Sequence, residues 1–268
     1  MKRRSFLQSA FTGASLAGLM PLLGHAATKE ATKKAKREFY ELRTYTLKNK
    51  EQETLVESFY EKAAIPALND FGCKTIGVFK ELKPEGQSKI YVVIPFKSME
   101  DFGKVEEKLS NDEQFLKEGA DYLNPPLDAP AYEKLETSLH KSLKGMPQLI
   151  LPEPDNKRRV FELTSFNSAN EMAGRKKIEM FNEAGEISIY KRVGINPVFF
   201  GETIIGGEKP SMTYLVTYDN MSARERAWKY FGKDAEWKTL RSMPEYSDEK
   251  IVSKSSSIVL VSAACSQL

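Results

Sequence analysis

The sequence predicts an α+β chain made of two consecutive units with the same element order, β-α-β-β-α-β. Three observations lead there. First, the 268-residue chain repeats itself at a nearly constant offset. Asp112 and Asp234, each followed three residues later by an aromatic (Phe115 and Trp237), lie 122 residues apart. Gly72 with Gly194, Phe59 with Phe181, Ile65 with Ile187, and Phe96–Met99 with Tyr218–Met221 share that offset, and the openings Phe39-Tyr40-Glu41-Leu42 and Val160-Phe161-Glu162-Leu163 stand 121 apart. Second, hydrophobic residues at 41% suffice for a core, while charged residues at 29% are dispersed along the chain, as in a globular protein. Third, Met146 to Arg159 carries three prolines and reads as a linker between the copies.

The elements follow in order. Phe39 to Leu47 is strand-like, rich in aromatic and β-branched residues. Glu51 to Asp70 is helical, with Leu55, Val56, Phe59 and Ala63 on one stripe. Pro66 is expected to kink or end its regular part, and Gly72 to stop it. Thr75 to Leu82 and Lys89 to Phe96 are strands about the turn Pro84-Glu85-Gly86-Gln87. Ser98, with Asp101 three residues on, caps a helix carrying Phe102, Val105 and Leu109. Asp112 caps a shorter one, and Ala131 to Leu143 closes the copy. The second copy repeats this with strand 159–167, helix 169–192, strands 195–205 and 211–218 about Gly206-Gly207-Glu208-Lys209, helical segments over 221–241 and strand 256–264.

This order is the split βαβ, or ferredoxin-like, plan. A sheet of this kind has helices on one face and must cover the other. Two tandem ferredoxin-like units meet that need by packing sheet against sheet, as an intramolecular barrel with approximate two-fold symmetry. The predicted segments are an export signal (1–26), a basic tether (27–37), a first domain (38–145), a linker (146–158) and a second domain (159–268).

Lys2, Arg3 and Arg4 precede the uncharged apolar stretch Phe6 to Leu23, and Gly24-His25-Ala26 offers a small-x-small cleavage site. The run Lys2-Arg3-Arg4-Ser5-Phe6-Leu7-Gln8 resembles a twin-arginine signal, with an ordinary secretory signal as the alternative. Residue 19 is Leu where a lipoprotein box needs Cys, so the expected location is periplasmic or extracellular without a lipid anchor. No run of 18 apolar residues is uninterrupted, so no membrane association is expected after cleavage. Removing residues 1–26 leaves 37 basic and 37 acidic groups, a balance that gives no support to nucleic-acid binding. His140 then stands as the one histidine, too few for a multi-histidine metal site, and it reads as a strand residue. Cys73 and Cys265 are the two cysteines, and the sequence leaves their pairing open.

Glu41-Leu42-Arg43-Thr44-Tyr45, Phe71-Gly72, Gly77-Val78-Phe79, Tyr91-Val92-Val93-Ile94-Pro95-Phe96 and Asp112 with Phe115 together resemble the NIPSNAP family pattern. The resemblance covers most of residues 38–140 and recurs more weakly over 159–265, where Thr164-Ser165-Phe166 replace Arg43-Thr44-Tyr45. It implies a dimeric α+β barrel and assigns no reaction; more distant relatives of that barrel include cofactor-free monooxygenases and haem-handling enzymes.

Alternation along the first strand puts Glu41, Arg43 and Tyr45 on one face. A carboxylate there can act as base and a guanidinium can hold a carboxylate or oxyanion, so these three are the candidate catalytic residues. A Glu–Arg pair beside a packed aromatic is the plainer reading. Glu162, Phe115 and Trp237 are candidate ligand contacts, with core packing the plainer reading of the two aromatics. No phosphate loop, dinucleotide fingerprint or Cys-rich metal box occurs, so no cofactor or metal is expected. The leading expectation is an exported protein binding a sugar, organic acid or aromatic in a barrel pocket between the sheet and helices of the first copy, with an interaction module and a haem-handling or cofactor-free monooxygenase-like enzyme as alternatives. Assembly of several copies stays open.

Overall fold

The computed structural model describes residues 35–153 and 156–268. The export signal and residues 27–34 of the tether lie outside the described residues, as do linker residues 154 and 155.

Eight strands close an antiparallel barrel: β1 (Phe39–Leu47), β2 (Gly77–Glu81), β3 (Ser88–Phe96), β4 (Lys134–Ser142), β5 (Val160–Asn167), β6 (Asn196–Ile205), β7 (Ser211–Tyr218) and β8 (Lys254–Ser262). Around the barrel they run β1-β3-β2-β8-β5-β7-β6-β4. The first four strands therefore sit in the order β4-β1-β3-β2, and the last four in the matching order β8-β5-β7-β6. Ladders within each half range from nine pairs between β1 and β3, Phe39 with Phe96 to Leu47 with Ser88, to four between β2 and β3. At the seams between halves, β2 meets β8 over three pairs, Phe79–Ser262 to Glu81–Leu260, and β4 meets β6 over four, with a register slip between Leu139 and His140.

The first half carries α1 (Lys50–Phe59), a π-helical turn (Tyr60–Ala64), α2 (Ile65–Phe71), α3 (Met99–Ser110), α4 (Glu113–Glu118) and α5 (Ala120–Leu123). The second carries α6 (Glu171–Asn182), α7 (Glu186–Val193), α8 (Met221–Phe231), α9 (Ala235–Arg241) and α10 (Asp248–Ile251). α1, the π-helical turn and α2 run on without a break, with Ile65 N–H bonding the Tyr60 carbonyl, so Pro66 lies inside the helix next to the wider turn and does not end it. The closing strands begin at Lys134 and Lys254 rather than at the predicted Ala131 and residue 256, and two further differences have a backbone cause. The single helix over 169–192 is broken into α6 and α7 at Gly185, whose φ of +93° permits a reversal that a side chain would resist. The strand predicted from Thr75 starts at Gly77, because Thr75 takes a left-handed φ of +67°. Among the described residues no helix is long and apolar enough to cross a membrane.

Strand alternation divides the apolar residues into three cores. Tyr40, Leu42, Phe79, Val93, Phe161, Phe199, Leu215 and Leu260 fill the barrel lumen. Ring contacts cross the halves there, with Tyr40 4.8 Å from Phe199 and Phe79 4.8 Å from Phe161. The opposite faces carry one core under the first half's helices, around Tyr45, Phe59, Tyr60 and Phe115, and another under the second's, around Phe181, Tyr190, Tyr214 and Phe231.

Candidate functional site

Because Tyr40 and Leu42 point into the lumen, Glu41, Arg43 and Tyr45 point out beneath the helices of the first half. Arg43 Nε donates to Glu41 Oε1 at 2.8 Å and its Nη2 to Oε2 at 3.1 Å. This two-point pairing fixes the guanidinium plane. Glu41 is buried, whereas Arg43 keeps 25% of its side chain exposed. No hydrogen-bond partner of Arg43 Nη1 is seen among the described residues, so one edge of the guanidinium is free. Burial opposes its charge, but Tyr60, Glu41 and Tyr45 outweigh that and hold its pKa well above the ordinary value.

Three phenols lie behind this pair, Tyr45 and Tyr60 fully buried and Tyr122 partly so. Tyr45 Oη lies 2.9 Å from Tyr60 Oη and 2.9 Å from Tyr122 Oη. Burial raises all three phenol pKa values, so they are neutral donors at physiological pH. The ring of Tyr122 stacks on Phe59 at 3.8 Å, and Tyr132 meets Tyr45 edge-on at 5.4 Å. A fixed guanidinium edge beside neutral hydroxyls is suited to holding a carboxylate, phenolate or developing oxyanion.

The other sequence candidates lie apart from this face. Glu162, on β5, also points under helices, but there it meets donors on every side. Arg224 of α8 donates from Nε (3.0 Å) and Nη2 (2.6 Å), Trp228 from its indole (2.9 Å), Tyr218 from its hydroxyl (3.0 Å) and Ser257 from Oγ (2.8 Å). Burial alone would raise this carboxyl, yet the bonds from Arg224, Trp228 and Ser257 prevail and hold its pKa below the ordinary value. Phe115 is buried with its ring 5.7 Å from Phe59, and Trp237 packs 4.3 Å from Phe231. Asp112 and Asp234 accept from the amides of Phe115 and Trp237, as helix caps.

His140 is buried on the lumen side of β4, opposite Tyr40. Ser138 Oγ lies 2.8 Å from its Nε2 and Thr203 Oγ1 3.1 Å from its Nδ1, and burial drives its pKa down to about 4. Cys73 and Cys265 belong to the first half's helix-side core as free thiols. Among the described residues no group of three or more His, Cys, Asp and Glu side chains is arranged to hold a metal ion. A surface cleft of about 960 Å³ is lined by linker and C-terminal residues such as Leu151, Arg159, Val261 and Leu268, with none of the sequence candidates among them.

Sequence reasoning missed Tyr60, Tyr122 and Arg224. Arg224 and Trp228, four apart on α8, offered a faint signal as a donor pair on one helix face.

The NIPSNAP family model matches residues 40–127 and 161–267, well over half of the chain. The chain belongs to the NIPSNAP family. No curated protein matches this NIPSNAP chain in sequence. Among solved structures, a provisionally assigned monooxygenase of Fusobacterium nucleatum is 8% identical, with a TM-score of 0.60 over 85% of this chain and 93% of its own. Another from Lactobacillus acidophilus is 10% identical, with a TM-score of 0.55 over 85% and 94%. A NIPSNAP-like domain protein of Burkholderia xenovorans is 16% identical over 40% of this chain and 88% of its own, with a TM-score of 0.36. At such identities the likeness to the first two shows the barrel fold alone.

Proposed function

We propose that this protein is an exported NIPSNAP protein that binds a small organic acid, sugar or aromatic at the helix-side face of β1. Arg43 holds an acidic oxygen, Glu41 fixes the plane of Arg43, and the partly buried Tyr122 stands beside them, backed by the buried phenols of Tyr45 and Tyr60. The observation that carries the reading is the guanidinium edge left free beside a partly exposed side chain. The basic start and apolar run of residues 1–26 motivate export. The second reading is a cofactor-free monooxygenase acting at the same face, favoured by the barrel shared with the two provisionally assigned monooxygenases. An interaction module remains the reading if no small molecule binds.

We also read the chain as two tandem ferredoxin-like units with a linker between them. The matching strand orders β4-β1-β3-β2 and β8-β5-β7-β6 support it.

A thermal-shift screen against organic acids, sugars, quinones and haemin tests the binding reading, because a ligand of the native state raises the melting point by mass action. We expect an acidic or phenolic ligand to give a shift that Arg43→Ala abolishes and Glu41→Gln weakens. A ligand whose shift survives Arg43→Ala binds elsewhere and overturns the site.

A further inference from the structure

We propose that Tyr122 is a built-in occupant of a phenol-binding slot beside α1. A free phenol, seated on Phe59 and bonded to Tyr45, takes its place when the segment 120–130 swings out. The inference rests on the reading of this face as the ligand site, and it narrows the ligand to one bearing a phenol.

The slot has a wall, a polar end and a side. Phe59 is the wall, with the Tyr122 ring lying on it at 3.8 Å between centres and 11° between planes. Tyr45 is the polar end, its Oη 2.9 Å from Tyr122 Oη and 2.9 Å from Tyr60 Oη. Tyr132 closes one side, tilted by 42° at 5.9 Å. A flat stack and a hydroxyl partner at fixed distance are the two features that recognise a phenol, and Tyr122 satisfies both. Phe59, Tyr45 and Tyr60 belong to the buried core, so these parts of the slot stay in place whatever Tyr122 does. Tyr60 opens the π-helical turn, a widening often found where a helix serves a ligand. A Cβ at Gly119 would meet the Phe115 carbonyl at 2.8 Å and the Phe59 ring at 3.1 Å, so glycine lets the chain pass this close to the wall.

The occupant is held less firmly than its slot. Among residues 120–130, all but Tyr122 and Pro125 are exposed, and α5 has no fully buried residue. The backbone bonds here are local: Tyr122 and Leu123 donate to the Gly119 carbonyl, Asn124 to that of Ala120, and Ala129 to that of Pro126. Such bonds travel with the segment when it moves. Its far end is fixed by Gln52 Nε2, which donates to the Pro130 carbonyl at 2.8 Å. Tyr122 is thus the anchor of the middle, and a stretch with so little buried opens at low free energy. A free phenol makes the same stack and the same bond without having to hold down a chain. The second half offers no such slot, since Phe166 stands in the place of Tyr45 and packs against Phe181 and Tyr214 without a hydroxyl.

The probe is p-cresol, the tyrosine side chain as a free molecule, titrated calorimetrically into the purified protein. Tyr122→Ala is expected to bind it about tenfold more tightly than wild type, since a slot free a tenth of the time loses tenfold in apparent affinity. Adding Tyr45→Phe should take back about fivefold, the share of one hydrogen bond. As wild type fills with p-cresol, hydrogen–deuterium exchange of peptides covering 120–130 should rise. Should Tyr122→Ala not fold, Tyr122→Phe keeps the ring, loses the bond to Tyr45, and is expected to tighten p-cresol by a smaller factor in the same direction. Equal p-cresol affinity in wild type and the Tyr122 variant, no binding to either, or a segment that exchanges no faster as wild type fills would each overturn the slot. Because p-cresol carries no carboxylate, it reads the slot apart from the acid contact to Arg43. Tighter p-cresol binding by Tyr122→Ala, with carboxylic-acid shifts that survive Arg43→Ala, keeps the slot and overturns the Arg43 reading; the reverse pattern keeps Arg43 and overturns the slot.

Discussion

Two carboxylates occupy corresponding places in the halves and live in different surroundings. Glu41 meets one partner, Arg43, from its own strand, two residues along. Glu162 meets Arg224 and Trp228 from a helix, Tyr218 from a neighbouring strand and Ser257 from the other. The arginine has in effect moved from strand to helix. In the second half that move ties the helical layer to the barrel and uses up the acid's acceptor capacity. In the first half the pair is self-contained, so the arginine keeps a free edge and partial exposure. The same acid–base pair is a fastening in one half and an available surface in the other.

That contrast can be broken by experiment. The largest effect is expected from Glu162→Ala, which strands a guanidinium, an indole and two hydroxyls. Chemical denaturation should show a loss of about 3–5 kcal/mol, the range for removing one member of a buried pair. A loss below 1 kcal/mol would mean that α8 does not depend on this carboxylate. Next comes His140 at the seam between the halves. Its folded pKa of about 4 lies below the ordinary 6.5, so the unfolded chain takes the proton first. Stability is therefore full above pH 6.5 and falls as the pH drops through 4, by about 3 kcal/mol in total. Denaturation series between pH 4 and 7 should show this slope in wild type and its flattening in His140→Gln. Glu41→Ala is expected to cost less than Glu162→Ala, about 1–3 kcal/mol, since water can reach Arg43. Equal losses at the two glutamates would remove the distinction between them. The smallest effects belong to the caps. Asp112→Ala should cost about 1 kcal/mol, and Asp234→Ala somewhat more because Asp234 also pairs with Arg192. Melting temperatures of the two variants, compared side by side, check the order.

What the sequence disclosed was local. Alternation in Phe39–Leu47 puts Glu41, Arg43 and Tyr45 on one face, and Ser98 with Asp101 announces a helix start that the structure realises through paired side-chain bonds. What it concealed was either long-range or a matter of backbone conformation. Arg224 reaches a carboxylate 62 residues earlier, and no spacing rule signals that. Tyr122 joins Tyr45 from a short helix that reads as surface. The break at Gly185 was hidden because Ile187 and Tyr190 continue an apolar stripe across it, and periodicity alone does not register a left-handed residue. Lys177 was hidden for a further reason. A charged residue on a helix reads as solvated, and here the rings of Phe166 and Phe181 take it out of water.

The two seams offer a last lesson in terms of mass action. Three residue pairs between β2 and β8 and a slipped ladder between β4 and β6 supply few backbone bonds between the halves, and the apolar lumen that both halves fill supplies the rest of their interface. Joined in one chain, each half sees the other at an effective concentration of order millimolar, so this core closes without a search through dilute solution.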